Sequence, residues 1–443
     1  MRPRDQRPSA PAYPTHGTSQ AAVDEGGVET GRIEELRLIS ASPAIGVATA
    51  AASYRDIDEE LPSSSGHWAP NLLLECARAV AANDTSQAQK LMSVLNELAS
   101  PYGDCDQRLA SYFLQALFCK ITNTGLRCYR ILLAAAEKSY TFESVRKMIL
   151  EFQEASPWTT FGHVACNGAI LEAFEGEMKV HIVDISSTFC TQWPTLLEAL
   201  ATRSEGSPNL RLSAIVISPE AEPAAMHVMQ QIMTRLDRFA RLMGVPFEYS
   251  LTQLPQLEQL EFAHGSALEL REDEALAINC IHTLNQYGSS SRDQILYTFR
   301  NANPKIVTIV EDEMELVSAD FMTCFSEALR FYWLLFQSLD ESFPRASNER
   351  LMLERAHARN IVNLLACEPA DRRRWPQQGV DWARRLSAAS FVHSAFSDDV
   401  VGDVRALLTR YKEGWGLITD ENGLYLTWKD QPVICTSAWR LDL

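Results

Sequence analysis

Residues 180–194 read VHIVDISSTFCTQWP. Val180 to Ile185 form an apolar run with one acid, Asp184, near its end, and a turn leading towards a helix follows. In a nucleotide-binding α/β unit such a strand runs into a glycine-bearing loop, because backbone without side chains can approach the cofactor. Here the turn is Ile185-Ser186-Ser187-Thr188-Phe189-Cys190, with a side chain at every position and a bulky one at Phe189. A dinucleotide or adenosyl cofactor also wants an acid after the second strand for its ribose hydroxyls, and Glu220 in ISPE stands there. One feature of two is too little, so no cofactor and no enzymatic activity are expected. Asp184 is read instead as an anchor that accepts from the amides of Ser186 to Thr188 or caps the next helix. His181 falls on the opposite strand face from Asp184 by period-two alternation, so the two form no catalytic pair.

Other reactive residues are scattered. The ten cysteines include no CxxC pair, and no histidine pair has metal-ligand spacing. No metal is expected, and the thiols read as buried and reduced. Glu311, Asp312 and Glu313 end another apolar run. They read as a solvated acidic loop or as an acid-lined hollow suited to a basic peptide. The formal charge of −17 repels nucleic acid, so direct DNA binding would need a local basic patch. The candidates are Arg372, Arg373 and Arg374, then Arg384 and Arg385, read as a solvated loop or as part of a nuclear import signal.

These residues need elements to hold them. Residues 1–66 are rich in Pro, Ala, Ser, Gly and acids without periodicity, and read as a mostly disordered tail. The opening MRPRDQRPSAPAYP has no apolar stretch of a secretory signal, and no apolar run is long enough to span a membrane. From Trp68 the rhythm is helical. Leu73, Ala77 and Val80 recur on one stripe; Leu91, Val94, Leu95 and Leu98 follow the break at NDTS; Leu109, Phe113, Ala116 and Leu117 follow the turn at SPYGD. Residues 68–137 therefore read as an array of amphipathic helices whose apolar face packs on the rest of the chain, on another subunit, or on both.

From about residue 160 helices alternate with the near-continuous apolar runs VHIVDI, LSAIVIS, LAINCI and IVTIV. That alternation predicts βαβ units, with strands over 180–185, 210–218, 247–249, 275–281 and 305–310 in a parallel sheet covered on both faces. After a helical zone over 319–367, SFVHSAF, GWGLI, LYLTW and VICTSAW read as antiparallel strands added to the sheet edge, with Trp415, Trp428 and Trp439 filling core. The expected class is α/β: a Rossmann-like, methyltransferase-like, mostly parallel sheet with an N-terminal helical cap and C-terminal antiparallel strands. The layout by itself licenses no function.

Several motifs converge on one family. Val180, His181, Ile182, Val183 and Asp184 resemble the VHIID box of the plant GRAS proteins. Ser437, Ala438 and Trp439, within LYLTWKDQPVICTSAWR, resemble that family's SAW region. PKIVTIVEDE and ESFPR resemble its PFYRE region, and ERLMLER at 349–355 its adjacent arginine–glutamate motif. The resemblance covers about residues 67–440 in family order. It divides the domain at 67–441 into leucine repeat I or helical cap (67–137), VHIID region (148–215), leucine repeat II (224–270), PFYRE region (275–367) and SAW region (370–441). Longer strings, among them SPWTTFGHVACNGAILEA and FARLMGVPF, narrow it to the branch that patterns the root radially and governs asymmetric cell division. The tail lacks the long His/Gln/Asn-rich run of flowering-plant members.

The resemblance implies a nuclear transcriptional regulator, also present in the cytoplasm and mobile between cells, that is not an enzyme. It implies pairing with a SCARECROW-type GRAS protein through the helical cap, which makes Leu73, Leu91, Leu95, Phe113 and Leu117 the partner-interface candidates. It also implies docking of INDETERMINATE DOMAIN-type zinc-finger transcription factors that supply the DNA contact. The alternatives are a direct sequence-specific DNA-binding factor and, behind it, an S-adenosylmethionine-binding protein.

Overall fold

The computed structural model describes residues 67–442 apart from 139–140, 218–222, 263–267, 317–319 and 345. The expected tail over 1–66 and the acid Glu220 lie outside these residues.

Four helices open the described chain: α1 (Ala69–Ala81), α2 (Thr85–Leu98), α3 (Cys105–Ile121) and α4 (Gly125–Glu137). Local chemistry sets their ends. Pro70 occupies the first turn of α1, where its missing N–H costs nothing. The Asp84 carboxylate accepts from Gln87 N at 3.0 Å, and Asp104 makes a reciprocal capping box with Gln107. Then come α5 (Phe142–Ala155) and α6 (Thr160–Ala173).

The α/β body follows: β1 (Lys179–Ser186), α7 (Trp193–Ala201), β2 (Asn209–Ile217), α8 (Pro223–Met243), β3 (Phe247–Leu254), β4 (Ala275–Ile281), α9 (Ser289–Asn301) and β5 (Ile306–Asp312). Two long helices, α10 (Phe321–Ser342) and α11 (Asn348–Ala366), lead to α12 (Gly379–Ala388), β6 (Phe391–His393), α13 (Asp398–Leu408), β7 (Trp415–Asp420), β8 (Gly423–Trp428) and β9 (Gln431–Leu441). The sheet order is β3-β2-β1-β4-β5-β9-β8-β7, with β6 on β9. The first five strands are parallel, and β9 joins β5 antiparallel.

Alternation along β1 divides the core. Val180 and Ile182 point into a cluster with α7 and α8, while Val183 and Ile185 point into one that includes Ile295, Phe299 and Trp382. A third cluster joins the cap helices to α10 and α11. Three details differ from the sequence reading. β3 runs on to Leu254, because its half-polar edge sequence carries no apolar run. Among the described residues of the second leucine-rich region, 224–270, only the stretch to Met243 is α-helix, since β3 follows at once. SFVHSAF gives only the three-residue β6, because Ser397 accepts from Val400 N at 3.2 Å and starts α13.

Candidate functional site

The carboxyl ends of β1 and β4 form the crevice in which open α/β sheets bind ligands. Here it is filled by hydrogen-bonded side chains. Asp184 Oδ2 accepts from the Trp193 indole Nε1 at 2.8 Å and from Cys190 Sγ at 3.5 Å, and Oδ1 accepts from Asn279 Nδ2 at 3.0 Å. Asn279 also donates to Gln192 Oε1 at 3.1 Å and accepts from Thr308 Oγ1 at 2.8 Å; Gln192 donates to Asn167 Oδ1 at 2.9 Å. All these side chains are buried. Asp184 is thus an anchor, as expected, but its partners are side chains of α7, β4 and the turn rather than the amides of Ser186 to Thr188. Burial pushes its carboxyl above the usual range, and the bonds from Trp193 and Asn279 pull it back.

Phe189 and Cys190 both take left-handed backbone, at φ 54° and 57°. Non-glycine residues pay roughly 1–3 kcal/mol each for such angles. That twist turns the Cys190 thiol inward onto Asp184. The side chains occupy the place where a cofactor's adenosyl or phosphate group would approach, so the residues present do not fit one. His181 is buried on the other face, 2.9 Å from Ser213 Oγ. Desolvation lowers its pKa to about 3, and Arg211 rather than His181 neutralises the neighbouring Glu274. The whole VHIVD stretch is therefore structural core.

The acids that end β5 are neither a solvated loop nor a hollow, because each is buried and engaged. Glu311 Oε1 accepts from Leu284 N at 2.6 Å and Asn285 N at 3.2 Å. Asp312 pairs with Arg374 at 2.6 Å, and Glu313 accepts from Gly379 N at 2.9 Å. Desolvation raises the Glu311 and Glu313 carboxyls to about 7. Three of the five arginines read as basic clusters are ion-paired, Arg374 on Asp312, Arg384 on Asp381 and Arg385 on Asp293, while Arg372 lies over the Trp375 ring. Ser437 and Trp439 share one face of β9, with Trp439 Nε1 donating to Ser437 Oγ at 2.8 Å, while Ala438 points into the opposite cluster. Trp428 is buried, and half-buried Trp415 lies 4.8 Å from it, ring to ring.

The cap gives the clearest surface feature. Leu73, Leu91, Leu95, Phe113 and Leu117 all lie in the intramolecular core, packed with α10 and α11, so none is offered to a partner. The amphipathic stripe that singled them out is the stripe that closes the cap onto the body. The exposed apolar residues lie elsewhere on the cap. Phe118 and Ile121 of α3 are 53% and 46% exposed, and Ile131 of α4 is 45% exposed. The sequence GLRCYRILLAAAE makes α4 a largely apolar helix, yet none of its described apolar side chains is fully buried. Gly125 fixes where it sits: a Cβ there would lie 2.1 Å from the Ala366 carbonyl oxygen at the end of α11.

Sequence reasoning missed a clamp that ties the cap to the two long helices. Arg108 of α3 donates from Nε to Glu354 Oε1 of α11 at 2.9 Å, and Arg350 lies 3.6 Å from the same oxygen. Asp340 of α10 meets Arg108 at 3.1 Å and Arg350 at 3.2 Å. The signal was present in ERLMLER, which puts Arg350 and Glu354 one helical turn apart. A second open surface, a groove of about 480 Å³ between α5 and the α10–α11 junction, is lined by Glu151, Glu154 and Glu349 with Phe343 and Pro344.

Comparison with known proteins places this geometry. Residues 69–440 match the GRAS domain family. Protein SHORT-ROOT of Arabidopsis thaliana is 50% identical over 395 residues, covering 85% of this chain and 74% of that protein. The Scarecrow-like transcription factor PAT1 of the same plant is 31% identical over 377 residues, covering 83% of this chain and 75% of that protein. The crystal structure of SCL7 from Oryza sativa superposes with a TM-score of 0.71 at 29% identity, covering 85% of this chain and all of that one. Matched by the family over nearly all its described residues, and half identical to SHORT-ROOT across most of its length, the chain belongs to the GRAS family and is of the SHORT-ROOT type.

Proposed function

We propose that this plant developmental regulator works in the nucleus by protein contact: it pairs through its helical cap with a second GRAS protein of the SCARECROW type. The observation that carries this reading is the set of exposed apolar side chains on the cap, Phe118 and Ile121 of α3 and Ile131 of α4, a helix whose other large apolar side chains are only half-buried. Large apolar side chains exposed on neighbouring helices suit burial against a partner. The ion pairs of Arg374, Arg384 and Arg385 and the charge of −17 favour contact with DNA through a partner rather than directly. The filled crevice at Asp184 favours a scaffold over a methyltransferase. Zinc-finger factors of the INDETERMINATE DOMAIN type, rich in cationic side chains, would meet the acidic groove of Glu151, Glu154 and Glu349. Co-purification with a SCARECROW-type protein and a zinc-finger factor, alongside a gel shift on bare DNA, tests the reading. Complex formation without a shift by the isolated chain is expected. A specific shift by the chain alone, with no protein complex, overturns it.

A further inference from the structure

A second groove lies away from both the cap and the filled crevice. It runs between α5 and α8, with the turn after β1 at its end, and has a volume of about 370 Å³. Val145, Ile149 and Leu150 form one wall, Ile232 and Phe239 the other, and Phe189 closes the end. Leu150 is 43% exposed, and Ile149, Ile232, Phe239 and Phe189 are only half-buried. The Phe189 position is one of the two left-handed residues of the turn, so local strain is spent holding an aromatic ring at this surface.

The charged residues that line the groove carry one sign. Its charged lining residues are Arg146 and Arg235, with no acid among the described residues of the lining. Arg146 is held by Glu143 at 2.9 Å on the exposed face of α5. Arg235 lies 3.7 Å above the Phe142 ring and donates to the Gln231 carbonyl at 3.2 Å. Among the described residues no carboxylate pairs with it. The α8 sequence carries three arginines against one aspartate, within a chain of net charge −17. A cationic, apolar groove on an anionic protein selects a partner of opposite charge and favours its encounter.

The span from Phe142 to Leu150 along α5 is about 12 Å, room for roughly two turns of a docked helix. Two helical walls with an apolar floor suit an amphipathic helix that anchors side chains at i, i+3, i+4 and i+7 spacing. We infer that the α5–α8 groove is a docking site for a short amphipathic helix of another protein, with an apolar face flanked by aspartate or glutamate. Its carboxylates pair with Arg235 and Arg146, and its apolar side chains cover Ile149, Leu150, Ile232 and Phe239.

The test uses the full chain and two fluorescently labelled synthetic helical peptides of about fifteen residues, with leucines at that spacing. One carries glutamates on its flanks and the other lysines at the same positions. Fluorescence anisotropy is expected to show the glutamate peptide binding at least about tenfold tighter than the lysine peptide. Arg235→Glu should reverse that order, and Leu150→Asp should abolish both interactions. Thermal unfolding of each variant checks that these exposed positions leave the fold intact. Equal binding of the two peptides, binding insensitive to Arg235→Glu, or no binding of either overturns the proposal. Capture of dodecanoate in the same groove without peptide binding also overturns it, by assigning the groove to a small amphiphile.

Discussion

Trp193 donates its indole N–H to Asp184 at 2.8 Å, and that bond closes the crevice in which proteins of this layout hold a cofactor. The tryptophan comes from the first turn of α7 and the acid from the end of β1. The junction that in a nucleotide-binding sheet would be open backbone is here packed side chain. Asp184→Ala strands the Trp193 N–H and one Asn279 N–H in a buried site, which costs roughly 2–4 kcal/mol. Urea unfolding should show that loss, and calorimetry with S-adenosylmethionine should show no heat for either protein. A gain of binding in the variant would mean that the crevice is a masked cofactor site.

The Arg108–Glu354 pair ties the cap to α11 with both groups wholly buried. Removing one partner leaves a buried charge short of its counterion, so Arg108→Met should cost about 3–5 kcal/mol. The double variant Arg108→Met, Glu354→Leu should recover part of that loss. A double-mutant cycle by chemical denaturation measures the coupling, and simple additivity would remove the clamp from the account.

Glu311 gives a pH signature. Its folded pKa, about 7, lies above the 4.5 of the free group because burial disfavours the charge. The folded state therefore binds the extra proton, and this contribution is full below about 4.5 and lost as pH rises through 7. Glutamine keeps the acceptor for Leu284 and Asn285 without titrating. The stability of Glu311→Gln relative to the parent should therefore rise by on the order of 2 kcal/mol between pH 5 and 8. Thermal melts at both pH values decide it, and a constant difference would show that Glu311 is already charged at the lower pH.

The acidic groove makes a salt-dependent prediction. If Glu151, Glu154 and Glu349 steer a cationic zinc-finger protein, its affinity should fall steadily as ionic strength rises. Replacing the three with glutamine should flatten that dependence. Titration by anisotropy at increasing salt reads both outcomes, and an affinity flat for the parent chain would end the steering idea.

Much of the fold was legible because its strands are continuous apolar runs bounded by polar turns. Ala275–Ile281 has the expected bounds, and β1 and β2 differ by a residue or so at each end. The site was legible only in part. Period-three-and-four spacing marked Leu91 and Leu95 as one face of a helix, but spacing cannot say whether that face meets the chain's own core or a partner. The same limit hid the acids after β5: three consecutive carboxylates read as solvent-facing until Arg374 and the amides of 284, 285 and 379 are brought to them by the fold. Asp184 was placed correctly as an anchor, while its partner Asn279 lies 95 residues away and is invisible to local turn chemistry.

The distinction between core and surface leucines in the cap is itself testable. Leu95→Asp buries a charge and should unfold the cap, with a large drop in melting temperature. Ile131→Asp lies on the exposed side of α4 and should shift stability by no more than about 0.5 kcal/mol. Circular dichroism melts of the two variants separate the roles, and equal destabilisation would place Ile131 in the core.

The exposed apolar side chains of the cap, Phe118 and Ile131, are the proposed pairing surface. The most direct measurement is the affinity of the full chain for a SCARECROW-type protein, by calorimetry, with and without the paired substitutions Phe118→Asp and Ile131→Asp. The variant should stay folded while its affinity falls at least about a hundredfold, since truncated interface anchors cost about 2 kcal/mol or more each. A folded variant that pairs as tightly as the parent chain would contradict it.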